Sequence, residues 1–210
     1  MPDLLIENSY GGLVAGVDEA GRGTWAGPVV AAAVGLNKIL PDRMLSEVND
    51  SKKLSAKKRE ILIKDIMTFA DVGIGAASVR EIEKENIAIA TLLAMRRALN
   101  SLPLIPALAL IDGLSSPPNL SFPSFPITKG DSLSLSIASA SIVAKVFRDH
   151  LMALLSKRYP AYGWEQNMGY GTKKHRTALF TQGITPHHRR TFAPVSKIVE
   201  EEIVILTKRP

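Results

Sequence analysis

LVAGVDEAGRGTWAGPVVAAAVGL, residues 13–36, is the stretch from which the fold can be read. Residues 13–18 and 28–36 are apolar, rich in valine and bounded by glycine and proline, which predicts two buried strands. The glycine turn at 21–27 is short enough to make them an antiparallel pair. Asp18 and Glu19 close the first run. Neighbouring residues on a regular strand point to opposite faces, so joint use of both carboxylates requires the strand to end there. Gly21 and Gly23 supply a break.

Working outward, residues 71–79 (DVGIGAASV), 107–112 (ALALID) and 125–129 (FPITK) read as three further strands. Ser55 is a good N-cap for SAKKREILIKDIMTF, with Ile61, Ile66 and Phe69 as its apolar stripe. Asn86 opens IAIATLLAMRRAL, apolar nearly all round and expected to pack on both sides. Asp131-Ser132 leads into a long helix to about Lys157, with Ile137, Ala140, Ala144, Phe147, Leu151 and Leu154 on one face. A short helix near 172–182 stops at Gly183. The layout is α/β, a mixed five-stranded sheet flanked by helices. Residues 1–160 are expected to form the core, and residues 161–210 a small helical, basic appendage packed on it.

Composition narrows the function. The 210 residues are 46% hydrophobic and 22% charged, ordinary for a globular protein. No apolar run approaches the roughly 18 residues of a membrane span, and the first residues lack a basic segment followed by an apolar one. Cysteine is absent, which excludes disulfides and thiolate metal sites and suits a cytoplasmic location. A net charge of +6 points to a polyanionic partner. Lys52, Lys53, Lys57, Lys58 and Arg59 form one basic cluster. Lys173, Lys174, His175, Arg176, His187, His188, Arg189 and Arg190 form another, offset by Glu200-Glu201-Glu202. Charge alone reads equally well as solvated helix faces.

The carboxylates say more. Asp18 and Glu19 end the first strand, Asp112 ends the fourth, and Asp131 follows the fifth. Each has a plain alternative: a solvated strand end, an Asp-Gly turn for Asp112, a helix N-cap for Asp131. Together they suggest a shared divalent cation, Mg²⁺ or Mn²⁺, since both take oxygen ligands and keep waters for substrate phosphate. Gly16-x-x-x-x-Gly21-Arg22-Gly23 looks like a phosphate-binding loop but lacks its Lys-Ser/Thr. What it offers is backbone able to approach a ligand closely, such as a ribose 2′-hydroxyl, which is both donor and acceptor.

GVDEAGRGTWAGPVVAAAV, NDSKKLS, LIDG, KGDSLSLSIASASIVAKVFRD and HHRRTFAPV resemble, in order and spacing, the bacterial type 2 ribonucleases H (ribonuclease HII), from about residue 12 to 196. The resemblance implies a ribonuclease H-like fold carrying Mg²⁺ or Mn²⁺ on Asp18, Glu19 and Asp112, completed by Asp131. It implies cleavage of RNA/DNA hybrids and of single ribonucleotides in duplex DNA, 5′ to the ribonucleotide, leaving 3′-hydroxyl and 5′-phosphate. Gly21-Arg22-Gly23 would grip the 2′-hydroxyl, and Tyr170 would stack on the next deoxyribose; otherwise Tyr170 is a half-buried surface aromatic. Lys52, Lys53 and Lys145 would face phosphates, though Lys145 also reads as an ordinary helix-surface lysine. Many members have His-Lys where this chain has Asn167-Met168, which removes a cation near Tyr170. Asp149, beside Arg148, is expected to be structural. A monomer is expected; whether a replication clamp docks is left open. The few residues before the first strand leave no room for the N-terminal domain of type 3 enzymes, so type 2 is preferred. A non-catalytic basic binding module would leave the acids repelling phosphate.

Overall fold

The computed structural model describes residues 1–36 and 39–198. Five strands form one sheet: β1 (Val14–Ala20), β2 (Val29–Gly35), β3 (Asp71–Ala77), β4 (Leu108–Asp112) and β5 (Ser124–Ile127), in the order β3-β2-β1-β4-β5. β1, β2 and β3 pair antiparallel, while β1, β4 and β5 run parallel. Three short helical segments are α1 (Leu5–Asn8), α2 (Asp42–Glu47) and α4 (Val79–Glu85). The longer helices are α3 (Ala56–Phe69), α5 (Ile87–Asn100) and α6 (Leu135–Arg158), followed by α7 (Trp164–Asn167) and α8 (Lys173–Gln182).

The layers follow from strand alternation. Ala32 and Val34 of β2 pack with α3 and α6, whereas Val29, Ala31 and Ala33 face α5 on the other side. On β1, Ala15 and Val17 also face α5. Gly16 lies under the start of α6, so close that a Cβ there would stand 2.2 Å from the Ile137 amide nitrogen. That contact lays α6 directly over β1 on the face that Asp18 shares with Gly16.

Ser55 and Asn86 cap α3 and α5 as expected, each accepting backbone N–H bonds. Other details differ. β1 does not end at Asp18-Glu19: it continues to Ala20, because β2 goes on pairing with it through Ala20↔Val30 after β4 has stopped at Val17↔Ile111. β3 stops two residues early, where Ser78 and Glu81 form a capping box that opens α4. α6 starts at Leu135 with Ser134 as its cap, so Asp131 is not the N-cap. α5 buries one face, Ala90, Thr91, Ala94, Met95, Ala98 and Leu99, and leaves Ile89 exposed.

The expected face of α6 fails beyond Ala144. Phe147 and Leu154 are exposed, and Arg148, Met152 and Ser156 are buried in their place. There the helix leaves the sheet and packs on residues 25–28 and the following segment. Ala26, Met152, Tyr162, Trp164, Ala178, Leu179, Val195 and Ile198 share a small core there, which draws on both sides of residue 160. Residues 199–210, with the Glu200-Glu201-Glu202 run, lie outside the described residues. No described helix is long and apolar enough to cross a membrane.

Candidate active site

Parallel pairing of β1 with β4 places Val17 beside Ile111, so Asp18 and Asp112 lie one residue beyond the last rung of neighbouring strands. Asp18 is buried, on the α6 side, and its Oδ1 accepts the Glu19 amide at 2.7 Å. Glu19 is half-buried, with Oε1 3.3 Å from Arg22 Nη1. Asp112 Oδ1 accepts the Gly130 amide at 2.7 Å, which ties β4 to the 3-10 turn Gly130–Ser132 that carries Asp131.

The electrostatics bind the four together. Burial first, then the charges of Glu19 and Asp112, push the Asp18 carboxyl well above the usual carboxylate range. Burial also raises Glu19, with Arg22 opposing and Asp112 adding to the rise. Asp131 is raised by burial, then by Asp112 and Asp50, against Lys52 and Lys53. Burial works against the Lys52 ammonium, yet Asp18, Asp50, Asp131 and Asp112 together hold its pKa above the usual value. Anions that disfavour one another's charge in this way are short of positive charge.

Beyond Glu19 a cleft of about 210 Å³ is lined by Gly21, Arg22, Gly23, Ser51, Lys52, Lys145, Arg148 and Tyr170. Its two glycines differ. Gly21 has φ +95°, and a Cβ there would fall 1.9 Å from Arg148 Nε, so the fold itself demands glycine. Gly23 is exposed, has no such φ, and a Cβ would meet nothing within 4 Å. Among the described residues, nothing requires glycine at 23.

Tyr170 forms another wall, half exposed, on a turn fixed from behind. Its amide donates to Asn167 O at 2.8 Å; Asn167 Oδ1 accepts from Gly169 N at 2.9 Å, and Asn167 Nδ2 donates to Tyr162 O at 2.7 Å. Asn167 thus supports the turn that carries Tyr170. The Tyr170 carbonyl faces His175 Nδ1 at 2.9 Å, and His175 Nε2 lies 3.0 Å from His188 Nε2. The Thr185 amide donates to His188 Nδ1 at 2.9 Å. That donor assigns the tautomers: His188 gives its Nε2 proton to His175, which gives its Nδ1 proton to Tyr170. Burial and the neighbouring His175 drive His188 down to about 3. Burial lowers His175 as well, so both rings are neutral at pH 7.

The basic clusters divide. Lys52, Lys53 and Lys57 are exposed, but Arg59 turns inward to Ser51 O and Leu54 O (2.8 and 2.6 Å) and so braces the loop that presents the lysines. Lys145 is largely covered and paired with Asp149 at 2.7 Å; it is no free surface lysine, and it lines the cleft. In the second cluster His175, His188 and Arg189 are buried, leaving Lys173, Lys174, Arg176 and Arg190 exposed. Arg148 and Arg189, which support residues 21–28 from behind, are not evident as such in the sequence. Their only signal is charge, which normally marks exposure.

A family model described as ribonuclease HII matches residues 15–195. The chain belongs to the ribonuclease HII family. It is 56% identical over 198 residues to ribonuclease HII of Jannaschia sp. (strain CCS1), covering 94% of this chain and 98% of that protein. Ribonuclease HII of Gluconobacter oxydans (strain 621H) is 52% identical over 204 residues, covering 96% and 98%. Among solved structures, the ribonuclease H2 of Pyrococcus horikoshii OT3 superposes with TM-score 0.76 at 27% identity, covering 90% of this chain and 98% of that one. The chain is therefore a metal-dependent ribonuclease H, a hydrolase of the endonuclease class, on a ribonuclease H-like fold with a mixed five-stranded sheet.

The donors fit a divalent cation in kind: all are oxygen, Asp112 repels each of the other three, and Lys52 is raised by Asp18, Asp131 and Asp112 together. As placed, the side chains do not close on a common point, and no such group exists among the described residues. Glu19 Oε1 is engaged with Arg22 and Asp112 Oδ1 with the Gly130 amide, and each carboxylate keeps a second oxygen as a donor to a cation.

Proposed function

We propose that this ribonuclease HII cuts, with Mg²⁺ or Mn²⁺, the RNA strand of RNA/DNA hybrids and single ribonucleotides embedded in duplex DNA. Hydrolysis falls on the 5′ side of the ribonucleotide and leaves 3′-hydroxyl and 5′-phosphate. The observation that carries this is the cleft itself, where Glu19, Gly23, Lys52, Lys145 and Tyr170 share one space.

Asp18, Glu19, Asp112 and Asp131 would hold the cation. What it supplies when bound is Lewis acidity, which lowers the cost of an attacking hydroxide and of charge on the leaving 3′ oxygen. Water adds to phosphorus, the P–O3′ bond breaks, and the 3′ oxygen takes a proton. The 2′-hydroxyl takes no part in that balance, so the chain must recognise it without using it. Gly21-Arg22-Gly23 suits this task, because Gly23 lets backbone approach the sugar where any side chain would stand in the way. Lys52, Lys53 and Lys145 would position phosphates. Tyr170 would lie on the following deoxyribose, where a second 2′-hydroxyl would clash. The exposed basic residues of 161–198 extend the footprint, as a substrate-binding segment on the core.

The test is a DNA duplex carrying one ribonucleotide, incubated with the protein and Mg²⁺ or Mn²⁺, with the cut mapped on both strands. A single cut 5′ to the ribonucleotide, giving a 3′-hydroxyl, is expected. A 2′,3′-cyclic phosphate, or cutting of the all-DNA duplex, would overturn the reading.

A further inference from the structure

We propose that Arg189, together with Arg148, is a positioning residue for sugar selection, holding the carbonyls of residues 21–28 inward so that Gly23 stands at a fixed height in the cleft. This rests on the reading of Gly21-Arg22-Gly23 as the part that meets the 2′-hydroxyl.

Arg189 Nε and Nη2 donate to Gly27 O at 3.0 and 2.9 Å, Nη2 to Gly21 O at 2.6 Å, and Nη1 to Arg22 O at 2.8 Å. From the helix side, Arg148 Nε donates to Pro28 O at 3.0 Å, and Nη2 to Ala26 O and Thr24 Oγ1 at 3.1 and 2.9 Å. Its Nη1 reaches Met168 O at 2.8 Å, two residues before Tyr170. The two guanidinium groups therefore fix the loop and couple it to the Tyr170 turn.

Both arginines are about fully buried, at 1% and 0% exposure, and no carboxylate is among their hydrogen-bond partners above. Packing alone does not account for this choice. Apolar side chains fill buried space at lower cost than two like charges placed side by side. Burial and the mutual charge pull Arg189 down to about 9 and burial pulls Arg148 to about 10, which records that cost. A planar fork of donors offers what an apolar side chain lacks: several carbonyls fixed from one point. Recognition of one hydroxyl depends on a partner already in place, because a loop that must first be ordered spends binding energy on its own ordering.

The experiment uses the full chain with Mg²⁺ or Mn²⁺. A duplex with one ribonucleotide is the substrate, and the all-deoxy duplex of the same sequence is the competitive inhibitor. The readout is Ki for the inhibitor divided by KM for the substrate. Loss of folded protein does not change that ratio, so a merely structural role leaves it at the wild-type value. For Arg189→Lys, which keeps the charge and loses the fork, the ratio is expected to fall roughly tenfold, with Ki within about twofold, the worth of one well-placed hydrogen bond. Arg189→Ala with added ethylguanidinium should recover part of the ratio. If Arg189→Lys does not fold, Arg148→Lys is read in the same way. An unchanged ratio in the folded variant overturns the role of the arginines while the loop reading stands. A wild type that does not distinguish the two duplexes overturns the loop reading itself.

Discussion

On one side of the site, Asp112 repels Asp18, Asp131 and Glu19, of which Glu19 lines the cleft, and Arg22, Lys52 and Lys53 answer this only in part. On the other, residues 21–28 and the Tyr170 turn are fastened from behind by Arg148, Arg189, Asn167 and His175. The acidic wall keeps its mutual repulsion, whereas the opposite wall is held by the protein's own hydrogen bonds. One cleft thus joins a hydrogen-bonded, preorganised side to an electrostatically crowded one.

The comparison breaks most visibly at Asp112. Asp112→Asn is expected to lower kcat by roughly a thousandfold, since the cation contributes several kcal/mol to the transition state. The melting temperature without metal should hold or rise, because one repelling charge is gone. Added Mn²⁺ should raise the melting temperature of the wild type and not of the variant. Full cleavage by Asp112→Asn would show that the acidic wall has been misread.

Next come the two glycines, which separate what the fold needs from what the substrate needs. Gly23→Ala should cost cleavage about a hundredfold through displacement of the sugar, while stability changes by less than about 1 kcal/mol. Gly21→Ala, forced against Arg148, should destabilise by more than about 2 kcal/mol in denaturant titration. Equal destabilisation by the two would remove the distinction. Tyr170→Ala sharpens the same wall: preference for an RNA-DNA junction over a continuous hybrid should fall roughly tenfold, the scale of one stacking contact.

A smaller effect is expected from acid. His175 and His188 are neutral when folded and face Tyr170 O, Thr185, Trp164 and the partly buried His187. The unfolded chain takes up protons there below about pH 6.5. The folded His188 does so only near 3, so their contribution is present above pH 6.5 and is lost as pH falls towards 3. Chemical denaturation at pH 7.5 and pH 5, followed by tryptophan fluorescence, should show the loss. A His188→Asn variant should flatten that slope.

Much of this was legible in the sequence. The five strands, the caps Ser55 and Asn86 and the position of Asp112 all follow from local pattern, because strand and cap chemistry is written within a few residues. The end of β1 was not, since β2 rather than Asp18-Glu19 decides how far it runs. The buried face of α6 turns at Arg148 through contact with a loop 120 residues earlier. Arg189, His175 and His188 read as part of a basic patch and Arg148 only as the neighbour of Asp149, because burial of a polar side chain depends on partners that no local window contains. The capping box Ser78-x-x-Glu81 was present in the sequence and marked α4.

The bonds from Arg189 to Gly27, Arg22 and Gly21 span 162, 167 and 168 residues. A chain emerging from the ribosome possesses all four acids and all five strands well before it possesses the residue that closes this loop. During synthesis the acids and the sheet therefore precede the guanidinium that fastens residues 21–28, so that loop gains its support only after the sheet's strands have all emerged.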